Sequence, residues 1–238
     1  MLDFRGRTVI VTGATGNLGA AVTQKFINQS ANLVLTDRGE DRLGQRFPKF
    51  LGSNQHILAD RVDVTNSDSV NGLIGKVLER FKHIDVLVNT VGGFSAGTIL
   101  PETPLSTLDF MLSLNARSVF VTSQAVLPHM IKEKQGKIVN LAARAGLRGS
   151  AKMSAYSASK AAVIRLTESM AEEVKNLGIN VNCILPGTID TPQNREAMPG
   201  ANYEKWVKTE SVADVIVFLA SDYARDIHGA AIPVYGNS

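Results

Sequence analysis

The sequence predicts one α/β domain built on a doubly wound parallel sheet of about seven strands, flanked by helices. Three observations carry this prediction. Short β-branched runs alternate with helix-like segments along the whole chain. The strand runs are nearly continuous in apolar residues, as in strands covered on both faces, where no polar side faces water. A glycine-rich turn, TGATGNLG, lies directly between the first strand and the first helix. Regular strand–helix alternation of this kind belongs to doubly wound α/β sheets.

The predicted strands are Thr8–Thr12 (TVIVT), Asn32–Thr36 (NLVLT), Ile57–Val62, Ile84–Val88 (IDVLV), Lys137–Leu141 (KIVNL), Ile179–Ile184 (INVNCI) and Ala231–Val234. Helices are expected between them near 17–29, 66–81, 104–133, 154–177 and 211–220. No internal repeat or low-complexity linker divides residues 1–238, so a single domain is expected. Glycine and proline cluster at Pro186–Pro199, which reads as a loop over a site, with a short lid near 190–210.

Bulk properties narrow the function classes. With 238 residues and 44% hydrophobic content, the chain has enough apolar material for a substantial core. It contains no apolar run near the roughly 20 residues of a membrane span. The N-terminal MLDFRGRTVIVTG enters a strand directly and lacks the pattern of a secretory signal. One cysteine, Cys183, excludes an internal disulfide and fits a reducing cytoplasm. The formal charge is only +3, with basic and acidic residues mixed, so neither nucleic acid nor a membrane surface is expected as partner. Histidines 56, 83, 129 and 228 show no metal-ligand spacing, and no metal is expected.

The glycine turn marks one end of a site. Gly13, Gly16 and Gly19 let the backbone turn sharply and approach a pyrophosphate, and the helix that follows offers free N–H groups and a positive dipole. Thr15, Asn17 and Leu18 share this turn and are candidate cofactor contacts. Asp37 ends the second strand, where a carboxylate accepts hydrogen bonds from an adenosine ribose and repels a 2′-phosphate. NAD(H) is therefore the expected cofactor. Arg38, next in sequence, softens that preference and leaves NADP(H) open. Asp63 and Val64 follow the third strand, where they meet an adenine. A plain acid near a helix start is the competing reading of Asp63.

The other end of the site is a helix, MSAYSASKAAVIRL, with Tyr156 and Lys160 on one face at i and i+4. A tyrosine titrates near about 10 in isolation. A lysine cation beside it stabilises the phenolate and lowers that value, which yields a general acid–base for a carbonyl or imine. By itself the spacing is weak, since helices carry such pairs by chance.

Taken in order, the glycine turn, Asp37, Asp63, NTVG (Asn89, Thr90, Val91, Gly92), Asn115 in LSLNARSVF, Tyr156 with Lys160, and PGTIDTP (Pro186–Pro192) resemble the short-chain dehydrogenase/reductase family over essentially the whole chain. The resemblance implies a Rossmann-type fold and an NAD(P)-dependent oxidoreductase. It implies that Tyr156 exchanges the proton and that Lys160 lowers its pKa and binds the nicotinamide ribose. Asn115 would open a helix to seat a water in the proton relay. Asn89 and Gly92 would lie along the cofactor, with Asn89 also tying strands together. Pro186, Gly187, Thr188, Ile189 and Thr191 would meet the nicotinamide side. A homodimer or homotetramer is also implied, with Val119, Phe120, Ala161 and Leu166 as interface candidates.

The chain departs from the family at several points. Members carry a serine at the position of Ala143, where it donates to the substrate oxygen, and NLAARAG has no hydroxyl there. Arg144, a water or Ser154 could replace that donor; the substrate could dispense with it; or the chain could bind cofactor with little chemistry. The middle glycine of the turn stands at 16, and Asn17 occupies the usual glycine position. Together with NTVG-Gly93-Phe94, KMSAY and the run Thr188–Pro199, these departures resemble the dihydropteridine reductase branch, which lacks the serine and reduces a conjugated imine with NADH. Ala143, Arg144, Phe94, Met198 and Trp206 are the candidate substrate contacts, with core packing as the competing reading of Trp206. The short lid predicts a shallow pocket, and Arg144, Arg148 and Arg195 could give its mouth a positive character. The expected function is hydride transfer between nicotinamide and a small carbonyl, alcohol or conjugated C=N compound. The competing class is an NAD(H)-binding sensor with little catalysis.

Overall fold

The computed structural model describes residues 2–237. In chain order the strands are β1 (Thr8–Thr12), β2 (Asn32–Thr36), β3 (His56–Ala59), β4 (Val86–Asn89), β5 (Gly136–Leu141), β6 (Ile179–Pro186), β7 (Ile189–Asp190), β8 (Val207–Lys208) and β9 (Ala231–Val234). The helices are α1 (Asn17–Ile27), α2 (Arg42–Arg46), α3 (Ser67–Phe81), α4 (Leu105–Met111), α5 (Ser118–Glu133), α6 (Ser154–Val174), α7 (Pro192–Ala197) and α8 (Thr209–Leu219). Seven strands form one all-parallel sheet in the order β3-β2-β1-β4-β5-β6-β9, and β7 pairs with β8 as a separate ribbon.

The continuous apolar runs have a direct cause. Successive side chains of a strand point to opposite faces, and here both faces are covered. Val9 and Val11 of β1 face a core with Leu18, Val22 and Phe26 of α1 and Val212 and Ile216 of α8. Ile10, between them, faces α3 and α5 through Val70, Ile74 and Val126. The strand order reverses between β1 and β4, opening a crevice at their carboxyl ends, where such sheets bind ligands.

Several boundaries differ from the sequence prediction. The third strand ends at Ala59, short of Val62, because Arg61 adopts a left-handed φ of 61°. Val62 N–H then donates to the carbonyl of Asp37 at 2.9 Å. The predicted 104–133 helix is three pieces: α4 and α5 are joined by Leu112–Arg117, which winds in wider π turns. Helices α2 and α7 were not anticipated. Val119 is 1% exposed and belongs to the core, so it cannot contribute to a subunit interface as expected; Phe120, 50% exposed, remains on the surface.

Residues 190–210, which the sequence suggests as a lid, form ordered elements instead of a short loop. Thr191 caps α7 by accepting from Asn194 N–H at 3.2 Å, and Asn194 Nδ2 reaches back to the carbonyl of Ile189 at 2.7 Å. Asp190 accepts from Arg195 at 2.6 and 2.9 Å and from Lys208 at 2.6 Å, which ties α7 to the β7–β8 ribbon. Trp206 is buried and packs its ring 4.8 Å from that of Tyr203. It therefore supports this region from inside and is not a cover for a substrate.

Candidate active site

The glycine turn sits where β1 gives way to α1. Gly13 has φ +64°, and a Cβ there would lie 2.9 Å from a methyl of Val91. At Gly19 a Cβ would lie 2.3 Å from the carbonyl oxygen of Gly13, so the helix can press onto the turn only as glycine. Gly16 caps α1 without a side-chain hydrogen bond to the first turn. The backbone N–H groups there are unclaimed by a cap, and the adjoining dipole is positive. This cradle fits a pyrophosphate. Across the crevice, Thr90 N–H donates to Thr12 Oγ at 3.1 Å and Thr90 Oγ donates to the carbonyl of Thr12 at 2.5 Å, fixing the loop after β4 against the turn.

Asp37 lies at the end of β2, buried to 6% exposure. Its carboxylate accepts from Gly39 N–H at 2.7 Å, from the hydroxyl of Thr15, and from Arg42 at 3.4 Å. Sequence reasoning found Asp37 and Thr15 but missed that they touch, and it missed Arg42. Asp63 accepts from the backbone and hydroxyl of Thr65 at 2.9 and 2.6 Å, in the loop before α3, whose cap is Asn66. Those two bonds hold its carboxyl below the usual range. Asn89 is buried beneath the crevice, donating to Asn140 at 2.9 Å and accepting from Thr122 at 2.9 Å. It ties β4 to β5 and α5, and its side chain does not line the crevice.

Gly92, Asn115 and Lys160 converge at the centre. A Cβ on Gly92 would stand 2.9 Å from Asn115 Oδ1 and 3.1 Å from Lys160 Nζ. Asn115 Oδ1 accepts from Gly93 N–H at 2.9 Å, and its Nδ2 donates to the Gly93 carbonyl at 3.1 Å and to Ser159 Oγ at 2.9 Å. Its side chain thus ties the loop after β4 to α6. The partner Ser159 escaped sequence reasoning, though its place beside Lys160 was a signal. Lys160 is 3% exposed and donates to the carbonyl of Leu141 at the end of β5, at 2.9 Å.

Tyr156 lies one turn before Lys160, and its ring meets Phe94 edge-on, with centroids 4.9 Å apart at 80°. Burial governs both groups of this pair. Burial pushes Tyr156 up to about 12. Burial also pulls Lys160 down to about 7. The ammonium has no carboxylate against it among the described residues, so desolvation works against both charged forms. Ala143 is 8% exposed in an extended backbone, φ −165° and ψ 160°. Ser154 is exposed at the start of α6, and the Arg144 guanidinium lies 5.3 Å over the ring of Tyr235.

Of the nicotinamide-side candidates, Gly187 N–H is tied to the carbonyl of Val234 at 3.0 Å and the carbonyl of Thr188 accepts from Val207 at 3.0 Å. Pro186 closes β6, and Ile189 lies in β7. Met198 is 41% and Phe94 65% exposed. Arg195 pairs with Asp190 and covers Tyr203, so it adds little positive field to the mouth. No group of His, Cys, Asp or Glu among the described residues could hold a metal, and no helix of them is long and apolar enough to cross a membrane.

Residues 7–202 match the family model described as short chain dehydrogenase. The chain is 32% identical to 3-oxoacyl-acyl-carrier-protein reductase FabG of Thermotoga maritima, covering 99% of this chain and 98% of that protein. It is 34% identical to 2-(R)-hydroxypropyl-CoM dehydrogenase of Xanthobacter autotrophicus, covering 97% of each. Among solved structures, ElxO with NADP bound superposes with a TM-score of 0.89 at 28% identity, covering 97% of each chain.

Proposed function

The chain belongs to the short-chain dehydrogenase/reductase family and is an NAD(P)-dependent oxidoreductase; we propose that it moves hydride to or from a small carbonyl, alcohol or conjugated C=N compound, with Tyr156 handling the proton. The observation that carries this reading is the convergence of Lys160 Nζ and Asn115 Oδ1 on Gly92, with Tyr156 one turn before Lys160 on α6 and a glycine turn whose helix start has no side-chain cap.

The dinucleotide, when bound, supplies or accepts the hydride. The backbone N–H groups of Asn17 and Leu18 would hold its pyrophosphate, since that of Gly16 donates to the Gly13 carbonyl at 3.0 Å, and Asp37 its adenosine ribose. Lys160 spends one proton on the Leu141 carbonyl and has others for the nicotinamide ribose hydroxyls and the phenol. Tyr156 holds its proton at the phenol oxygen, gives it to the substrate heteroatom in reduction and takes it back in oxidation. Asn115 keeps the Gly93 loop and α6 in register around this pair, and the 190–210 segment serves as the lid.

Asp37 favours NADH over NADPH, because a 2′-phosphate would stand against a buried carboxylate. Arg38 and Arg42 weaken that exclusion, so a modest preference is the reading here. The kcat/KM ratio for the two cofactors tests it; a preference for NADPH would reverse it. The apolar outer positions Leu105, Phe110 and Phe120 support a homo-oligomer built on this face, which sedimentation equilibrium tests.

Ala143 favours a second reading, a dinucleotide-binding sensor with weak catalysis, since losing one preorganised donor costs about 100- to 1,000-fold in turnover. The deciding experiment is NADH oxidation against diketones, aldehydes, β-ketoesters and quinonoid dihydropterin, with Tyr156→Phe and Ala143→Ser alongside. Turnover in the wild type that Tyr156→Phe abolishes supports the enzyme. Silence in the wild type, with ketone reduction appearing in Ala143→Ser, supports the sensor.

A further inference from the structure

Asn17, where the usual turn has glycine, is the first residue of α1, and its Nδ2 donates to Gln193 Oε1 at 2.6 Å. Gln193 is the second residue of α7, far along the chain, so this bond joins the lip of the glycine turn to the segment that follows β6 and β7. Both side chains are exposed and neither belongs to the core. The lid side of the bond is held from below. Asp190 grips Arg195 and Lys208, Thr191 caps α7, and Tyr203 Oη donates to the carbonyls of Arg195 and Met198 at 3.3 and 3.2 Å. On the turn side, Gly19 packs so closely on Gly13 that an added Cβ would lie 2.3 Å from its carbonyl oxygen. A hydrogen bond between two well-supported segments loses little freedom beyond the side chains of its own two residues.

We propose that Asn17 and Gln193 form a strap across the pyrophosphate groove that slows the departure of the dinucleotide. The proposal rests on the reading of the glycine turn as the pyrophosphate site. Cofactor enters and leaves this groove between α1 and the lid, so the strap must open for passage and close behind it. Lid opening and product release commonly limit turnover in enzymes with such covers. Asn17 and Gln193 are positioning residues here, since the reacting atoms lie at Tyr156, away from the strap.

The test is the rate of NADH release, read by stopped-flow as the loss of bound NADH fluorescence after mixing with excess NAD. Wild type, Gln193→Ala, Asn17→Ala and the double variant are compared, with thermal melting of each. Each single variant should release NADH about 3- to 10-fold faster, the scale of one neutral hydrogen bond. The double variant should be no faster than either single one, because both remove the same bond. Gln193→Asn with Asn17→Gln, which keeps the summed length and both amides, should restore slow release. Singles within twofold of wild type, or effects that multiply in the double variant, overturn the strap. Failure of the wild type to bind NADH or NADPH overturns the pyrophosphate reading and the strap with it, whereas binding with unchanged release overturns the strap alone.

Discussion

Gly92 and Lys160 are spaced so closely that the smallest side chain at 92 would touch the ammonium: an added Cβ would lie 3.1 Å from Nζ, and 2.9 Å from Asn115 Oδ1. The loop after β4 and helix α6 therefore meet at a point where position matters to tenths of an ångström. Gly92→Ala should fold, since both contacts are side-chain ends that can shift. It should lower kcat by about 10- to 100-fold, as small misplacements of reacting groups do. Steady-state kinetics with circular dichroism checks this; wild-type kcat in a folded variant would show that Lys160 needs no such placement.

Tyr156→Phe keeps the ring contact with Phe94 and removes only the phenol oxygen. Turnover should drop by about 100- to 10,000-fold, the range for one positioned acid–base group. Dinucleotide affinity measured by fluorescence titration should change less than threefold. A large loss of affinity would mean that the phenol holds cofactor and is not chiefly a proton carrier.

The pH profile should differ between the two directions. With Tyr156 pushed up to about 12, the phenol stays protonated through neutral pH, so the acid form needed for reduction is saturated from pH 6 to 9. Oxidation needs the phenolate, whose fraction grows with pH below that value. Oxidative kcat/KM should therefore climb from pH 7 to 10, while the reductive value should change only with the loss of the Lys160 proton at about 7. A fall in the oxidative rate across that range would assign the proton to another group.

Lys160 carries a stability cost. Its folded-state value is pulled down by burial to about 7 against 10.5 for the free side chain. Between those values the unfolded chain binds more protons, so stability rises as pH goes up from 7 to 10.5, and the full penalty is present below 7. Lys160→Met should raise the melting temperature at neutral pH by about 2–8 °C, a gain of one or two kcal/mol in a chain of this size. It should also flatten that part of the pH–stability curve and abolish turnover. An unchanged or lower melting temperature would show the lysine to be well paired in place.

Much of this was legible in one dimension. The seven strands of the main sheet, the glycine turn, Asp37 and the Tyr156–Lys160 pair all follow from local patterns, because burial on both faces and the spacing of four on a helix write themselves into consecutive residues. The unanticipated features are of another kind. Trp206 was a candidate cover and is a buried prop, since its partner Tyr203 and the β7–β8 ribbon depend on packing within the lid. Val119 is buried in the core shared by the sheet and the helices and does not reach the surface. Arg61 ends β3 early through a left-handed backbone that no residue-type preference announces.

By itself the sequence determined the architecture, the family to which the chain belongs and the candidate groups for its chemistry, because periodicity, turn glycines and residue type are properties of neighbouring positions. Only the tertiary structure decided which of those groups meet. Thr15 touches Asp37, Ser159 holds Asn115, and Asn17 reaches Gln193. It also set the surroundings of Tyr156, where desolvation by the surrounding fold pushes the phenol up. Contact and dielectric environment are set by segments distant in the chain, and no local pattern encodes them.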